Sequence, residues 1–277
     1  MTAGTLELKK VTAHCGALVE GLDLSRPLKE DSIESLKTAL AEHCVLFFRD
    51  QHMTPEQQKT LCSHFGPLHV HPAWPRIVAG HPEIMEIYSD ETTQRIAGED
   101  WHSDVSCDVE PPLGTLLYML ETPPTGGDTL FANMYAVFES LSEPMQRFLE
   151  GLTAWHDGEF VYRGRYDDGL EPSSGYPRTE HPVVRTHPQS GRKLLFINRI
   201  FTTRIVQLDQ HESDAVLEVL FRQVERPEFH CRFAWQPGSV AFWDNRCAQH
   251  HAIWDYFPNR RRGLRVTIQG DRPFYQP

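Results

Sequence analysis

The chain has 277 residues, 40% hydrophobic and 23% charged, an ordinary globular composition without repeats or low-complexity tracts, so disorder is excluded and one domain over 1–277 is expected. Twenty-seven basic against 38 acidic residues give a net charge of -11, and no basic stripe interrupts that acidic background, which excludes a nucleic-acid partner. No stretch free of Asp, Glu, Lys and Arg reaches the roughly 20 residues of a membrane-spanning helix, and the opening MTAGTLELKK lacks the apolar core of a secretory signal, so a cytoplasmic protein without membrane contact is expected.

Residues 31–48 read as a helix feeding a strand. Asp31 and Glu34 have capping-box spacing, Ile33, Leu36 and Leu40 share one helical face, and CVLFF then reads as a buried strand. Thr54-Pro55-Glu56-Gln57 starts a second helix, with Thr54 as cap, Pro55 at the first helical position and Gly66 just beyond the end. After residue 100 the texture turns to short β-prone runs: TLLYML, DTLF, HPVVRTH, KLLFIN, FHCRFAW, SVAFWD and LRVTIQG. Two helical interludes interrupt them. One covers 134–149 with a break at 142–144, and the other covers 211–224, with Val216, Leu217, Leu220, Phe221 and Val224 on one face. Short strands with a few helices outside predict a mainly β fold, a double-stranded β-helix or jelly roll, enclosing a cavity. Residues 157–180, rich in Gly, Pro, Tyr and charge, predict a mobile lid loop over its mouth.

Six cysteines without any C-x-x-C pair argue against a disulfide framework or a structural zinc site and fit a reducing compartment. Fifteen histidines stand out, because histidine is the commonest metal ligand and acid–base group. In Trp101-His102-Ser103-Asp104, residues two apart on an extended segment project from one face, so His102 and Asp104 reach one point. Taken singly, that pattern weighs evenly against a chance pair on a surface strand. A second anchor lies far along the chain, in WDNRCAQHH, residues 243–251. Two histidines and one carboxylate on a facial triad are the ligands expected for non-haem Fe(II) that must take a cosubstrate and O2. The run Arg260-Arg261-Arg262-Gly263-Leu264-Arg265 would, in isolation, read as a solvated basic turn. Strand alternation puts Arg261, Gly263 and Arg265 on one face instead, where arginines could clamp a dicarboxylic acid.

The ordered set WHSD, PPTGGDTLFA, HPVVRTHPQSGRKLLF, FTTRIV, WDNRCAQH and RRRGLRVTIQGDRPF resembles the taurine dioxygenase (TauD/TfdA-type) family of Fe(II)/2-oxoglutarate-dependent dioxygenases. The resemblance extends to the amino-terminal GALVEGLDLSRPL and FRDQHMTPEQQ, nearly the whole chain. It implies iron ligands at His102, Asp104 and His250, a 2-oxoglutarate clamp of Arg261 with Thr129, and a second arginine, Arg265, near the cosubstrate and the substrate's anionic group. Strand neighbours face opposite ways, so only one of His250 and His251 can point at iron, and the family register selects His250. The resemblance implies Fe(II), 2-oxoglutarate and O2, with release of succinate and CO2. It also implies hydroxylation rather than halogenation, because Asp104 stands where related halogenases have a small residue.

On the substrate side the resemblance points to His71 and Trp74 in HVHPAWP, Phe201 in FTTRIV, Arg265, and Phe160 or Tyr162 as the lid aromatic. Trp74 stands where the taurine enzymes have tyrosine, which removes a hydroxyl and reshapes the pocket. A small anionic substrate is expected, a sulfonate first, with taurine itself in question and alkylsulfate or aryloxyalkanoate cleavage as the alternative. Readings of another class are a non-catalytic metal-binding barrel and a zinc hydrolase. Intact ligands, clamp and lid speak against both. His69, Trp101 and Trp243 read as structural, and Asn245 and Gln249 as residues that could orient His250. A homo-dimer or tetramer is expected for a soluble enzyme of this size.

Overall fold

The computed structural model describes residues 6–71, 76–96, 98–163 and 175–277. The pair β1 (Glu7–Lys10) and β2 (Ala17–Glu20) leads through helix α1 (Glu30–His43) into β3 (Val45–Phe48) and then α2 (Pro55–Ser63). Four strands follow: β4 (Leu68–His69), β5 (Ile77–Val78), β6 (His81–Ser89) and β7 (Gly114–Glu121). Next, β8 (Thr129–Asn133) runs into α3 (Met134–Glu139) and α4 (Glu143–Leu149), and β9 (Thr153–Asp157) into α5 (Glu159–Tyr162). Short strands β10 (Arg178–Pro182), β11 (Val184–Thr186), β12 (Lys193–Leu195) and β13 (Thr202–Ile205) precede α6 (Gln210–Val224). The chain closes with β14 (His230–Phe233), β15 (Val240–Asp244), β16 (Ala248–Ala252) and β17 (Arg261–Ile268).

A nine-stranded sheet in the order β1-β2-β3-β15-β7-β17-β6-β5, with β4 also on β17, forms one layer. Strands β14-β8-β16 form a sheet facing it, beside the smaller sheets β10-β9-β13 and β11-β12. Strands β2 and β3 pair in parallel, which a tight turn does not allow, and α1 supplies the crossover. Period-two alternation sorts the large sheet's side chains. Phe47, Leu117, Met119, Ala241 and Trp243 face Phe131 and Phe233 of the second layer, while Leu46, Phe48, Leu116, Tyr118, Val240 and Phe242 pack with Leu36, Leu40 and Leu61 of the helices. Both faces of these strands are therefore buried, which is why CVLFF and TLLYML read as continuous apolar runs rather than alternating ones. Phe47 stacks on Phe233 at 4.1 Å between centroids and meets Phe131 edge-on at 5.6 Å, fixing the spacing of the layers. The arrangement is the expected jelly roll with helices outside.

The Thr54–Gln57 capping box is present on α2, with Pro55 at its first turn. The helix over 31–43 starts differently from the expectation. Its cap is Lys29, without a side-chain hydrogen bond, and Asp31 sits inside the first turn, where with Glu30 it meets the positive end of the helix dipole. Both ends of the stretch 157–180, where a lid loop was expected, are regular structure. Arg178 pairs with Asp157 as β10 joins β9, and residues 159–162 are helical, while 164–174 lie outside the described residues. Among the described residues no helix is long and apolar enough to cross a membrane.

Two histidines are buried around β9. His156 Nδ1 lies 2.9 Å from the Ser106 hydroxyl, His181 Nε2 lies 2.9 Å from the Asp108 carbonyl, and both rings pack on Phe196. Burial pushes His181 down to about 4 and His156 well below its ordinary value. The unfolded chain, with imidazoles near ~6.5, takes up these protons first. Stability is thus complete above ~6.5 and falls as pH drops toward 4, by up to ~1.4 kcal/mol per pH unit for each histidine. Melting temperature should decline steeply between pH 6.5 and 4.5, and a flat profile there would contradict this reading.

Candidate active site

The Trp101–Asp104 segment lies against β16. His102 N–H donates to the His250 carbonyl at 3.1 Å and His250 N–H to the His102 carbonyl at 2.9 Å, an isolated antiparallel bridge that sets the two imidazoles side by side. Their ring centroids are 4.1 Å apart. Asp104, two residues on, turns to the same point: its Oδ1 lies 3.6 Å from His102 Nε2 and 3.7 Å from His250 Nε2. The three donor atoms lie within 4.8 Å of one another, and all three residues are buried. Cis ligands at roughly 2.1 Å from a metal are themselves roughly 3 Å apart, so a small inward movement closes the triad on an ion.

The surroundings prepare these donors. His102 Nδ1 lies 2.8 Å from the Asp100 carbonyl, which holds a proton there and leaves Nε2 as the free lone pair. Burial holds the His250 imidazole well below its ordinary pKa, so it stays neutral, as a ligand must. Burial alone would raise the Asp104 carboxyl, but Arg265 and the two imidazoles overcome it and hold the group well below the usual carboxylate range. Asp104 divides its oxygens: Oδ1 faces the histidines, and Oδ2 accepts from Thr115 Oγ1 at 2.9 Å and pairs with Arg265 at 2.7 Å. Asn245 steadies Thr115 through its Nδ2 at 3.1 Å, while its Oδ1 accepts from Trp243 Nε1 at 3.0 Å. Two of the residues suggested as second-layer support separate here. Asn245 serves Asp104 rather than His250, and Gln249 donates away from the site to the Ile197 carbonyl at 2.5 Å. Thr115 was not singled out in the sequence, although a polar residue at an inward position of an otherwise apolar strand is a usable signal. Thr115→Val should weaken metal binding by ~10–100-fold while the fold is kept, as metal titration would read.

His251 points the other way, half-buried and edge-on to Trp101 at 5.6 Å. A second buried group, His187, Asp244 and Cys247, has ligand-like spacing, but its donors are spent. His187 Nδ1 accepts from the Gln189 and Ser190 amides, which leaves Nε2–H to donate to Asp244 at 3.1 Å, and Arg246 binds both Asp244 oxygens at 2.9 and 2.7 Å. This is a hydrogen-bonded staple under the β15–β16 turn.

Arg261 and Arg265 project from the inward face of β17 into one cavity of about 180 Å³, shared with His102, His250, Thr129 and Trp235. The GGD turn explains how Arg261 is held. Gly126 and Gly127 have φ of +79° and +72°, conformations that favour glycine, and the Gly127 carbonyl accepts from Arg261 Nε at 3.1 Å. The terminal nitrogens of Arg261 make no hydrogen bond or ion pair among the described residues. Thr129 faces the same cavity, its hydroxyl accepting from Trp235 Nε1 at 3.0 Å. Trp235 packs under the Arg261 guanidinium at 5.6 Å.

Three of the residues expected on the substrate side, His71, Tyr162 and Phe201, form a separate cluster. Tyr162 lies 6.3 Å from His71 and 6.4 Å from the buried Phe201 between ring centroids. Of the two aromatics expected at a lid, Phe160 is 79% exposed and outside this cluster, while Tyr162 lies within it. Burial, reinforced by Arg265, pushes His71 down to about 4, so near neutral pH the ring is uncharged. Trp74 lies outside the described residues.

The family described as "Taurine catabolism dioxygenase TauD, TfdA family" matches residues 7–267. The chain belongs to this family. It is 37% identical to an alpha-ketoglutarate-dependent dioxygenase of Penicillium expansum, over 95% of this chain and 75% of that protein. It is 36% identical to an alkylsulfatase of Acinetobacter baylyi, over 96% of this chain and 86% of that protein. The crystal structure of a taurine dioxygenase from Burkholderia xenovorans superimposes with a TM-score of 0.84 at 36% identity, covering 98% of this chain and 93% of that one. The protein is therefore a dioxygenase that uses Fe(II), 2-oxoglutarate and O2. The two-histidine, one-carboxylate donor set fits that iron, and the family, not the donor set, sets aside the non-catalytic barrel and the zinc hydrolase.

Proposed function

We propose that this dioxygenase oxidises a small sulfonate or sulfate ester at the carbon beside its anionic group. The observation that carries the reading is Arg265: one terminal nitrogen is held by Asp104, while its buried Nε has no partner among the described residues, a donor left for an anion beside the triad. The names of the Acinetobacter alkylsulfatase and the Burkholderia taurine dioxygenase support substrates of this charge. His102, Asp104 and His250 would hold Fe(II), and Arg261 with Thr129 a carboxylate of 2-oxoglutarate. Bound there, the iron supplies the redox chemistry that couples decarboxylation of 2-oxoglutarate to insertion of oxygen into a C–H bond.

The chain's own residues position the reactants. Arg261 and Thr129 orient the cosubstrate, Arg265 takes the substrate's anion, and neutral His71 adds an N–H to it. Phe201 and Tyr162 cover the substrate side and exclude water, and Trp74 is a further substrate contact in this reading. A carbon carrying both hydroxyl and sulfonate collapses to an aldehyde, the C–S bond electrons leaving with sulfite and the hydroxyl proton passing to solvent. A sulfate ester releases sulfate in the same way. We take residues 1–277 as one catalytic domain that assembles as a homo-dimer or tetramer in a reducing, cytoplasmic compartment, in keeping with six free cysteines.

The test is succinate formation with Fe(II) against a panel of sulfonates, alkyl sulfates and aryloxyacids. The expected result is succinate matched one for one by sulfite or sulfate. Phenol released from an aryloxyacid, with no turnover of the others, would overturn the substrate class. Failure of anaerobic protein to develop a visible charge-transfer band with Fe(II) and 2-oxoglutarate would overturn the metal and clamp assignments.

A further inference from the structure

The cavity that holds the Arg261 clamp carries a third guanidinium, that of Arg95, which the resemblance to the family did not bring forward. None of the cavity's described lining residues is Asp or Glu. Arg265 is satisfied in part by Asp104 and Arg261 in part by the Gly127 carbonyl, but Arg95 makes no hydrogen bond or ion pair among the described residues. Arg95 and Arg261 thus line one space with no carboxylate among its described lining residues, and a dianion placed there would attract both.

The segment carrying Arg95 is pinned at its two ends. At one end the Asp90 carboxylate accepts from the Thr92 amide at 2.9 Å and the Thr92 hydroxyl at 2.7 Å, closing a turn. At the other, the Gly98 carbonyl accepts from the Ala252 amide at 2.8 Å, and Gly98 has φ +81° and lies so close to the His102 ring that a Cβ would meet it at 2.8 Å. Between these anchors Arg95 is exposed and lines the cavity that Thr129 and Arg261 also line. His71, Tyr162 and Phe201 do not line this cavity.

We propose that Arg95 is a second cosubstrate-binding arginine, which contacts 2-oxoglutarate in the cavity it shares with Arg261 rather than the substrate that is oxidised. This rests on the 2-oxoglutarate clamp assigned above. Being exposed, Arg95 adds less than the buried Arg261, and its contribution is sensitive to salt.

Anaerobic titration of 2-oxoglutarate into the Fe(II)-loaded protein, read by the charge-transfer band, tests it, with quenching of Trp235 fluorescence in metal-free protein as a second readout. Arg95→Ala should raise the Kd for 2-oxoglutarate about tenfold, flatten its dependence on ionic strength, and leave the Kd for Fe(II) unchanged. Arg95→Lys should recover part of the loss. A Kd for 2-oxoglutarate within about twofold of wild type at low salt, or a loss confined to binding of the sulfonate or sulfate ester, overturns the proposal. Arg261→Ala in the same titration separates the two assignments. If Arg261→Ala weakens binding and Arg95→Ala does not, the inference about Arg95 fails alone. If neither does, the clamp itself is wrong.

Discussion

Asp104→Ala should give a protein without bound iron and without turnover, while His251→Ala keeps both. The carboxylate is the one anionic donor of the triad, and its removal leaves two imidazoles 4.1 Å apart between ring centroids with nothing to balance a divalent charge. The same substitution strips Arg265 of its partner at 2.7 Å, so a stability loss of a few kcal/mol accompanies the loss of metal. Asp104→Asn separates the effects. It keeps the shape and a hydrogen-bonding oxygen while removing the charge, so the fold should recover more than the iron does. Iron content after gel filtration, succinate formation and melting temperature read the three consequences. His251 faces Trp101 on the far side of β16, so His251→Ala should cost packing alone. Iron retained by His250→Ala and lost by His251→Ala would show that the strand register of the site is wrong.

Arg261→Ala should raise the Kd for 2-oxoglutarate by on the order of 10²–10³-fold while iron affinity changes little. The guanidinium is buried, backed by Trp235 and tied by Nε to the Gly127 carbonyl, so its terminal nitrogens are pre-oriented and lose little freedom on taking a carboxylate. Arg261→Lys should not restore binding, because a point charge on a flexible stem lacks the planar fork and would leave Gly127 without its donor. Calorimetric titration with 2-oxoglutarate measures both variants. Normal cosubstrate affinity combined with loss of affinity for the oxidised substrate would exchange the roles of Arg261 and Arg265.

Alternation and helix-start chemistry made much of the fold legible, because both act over a few neighbouring residues. The Thr54–Gln57 cap, the break before α4, the apolar face of α6 and most of the later strands followed from such short-range patterns. Strands β1, β6, β9 and β10 did not stand out. They are mixed in polarity, and β10 lies in a stretch whose Gly, Pro and charge resemble a loop until β9 pairs with it. Asp31 had the spacing of a cap, but the chain entered the helix two residues earlier.

Sequence by itself determined the chemical inventory: a His-x-Asp pair, a distant histidine pair, two arginines on one strand face, and a glycine turn before a threonine. The tertiary structure decided what each of them touches. The His102–His250 bridge, the Thr115 and Arg265 contacts that hold one oxygen of Asp104, the nearness of Tyr162 rather than Phe160 to His71, and the cavity shared by Arg95 and Arg261 all join residues far apart in the chain or set by a neighbouring element. Pairing register between strands sets such contacts, and a shift of one residue would turn every one of these side chains to the opposite face.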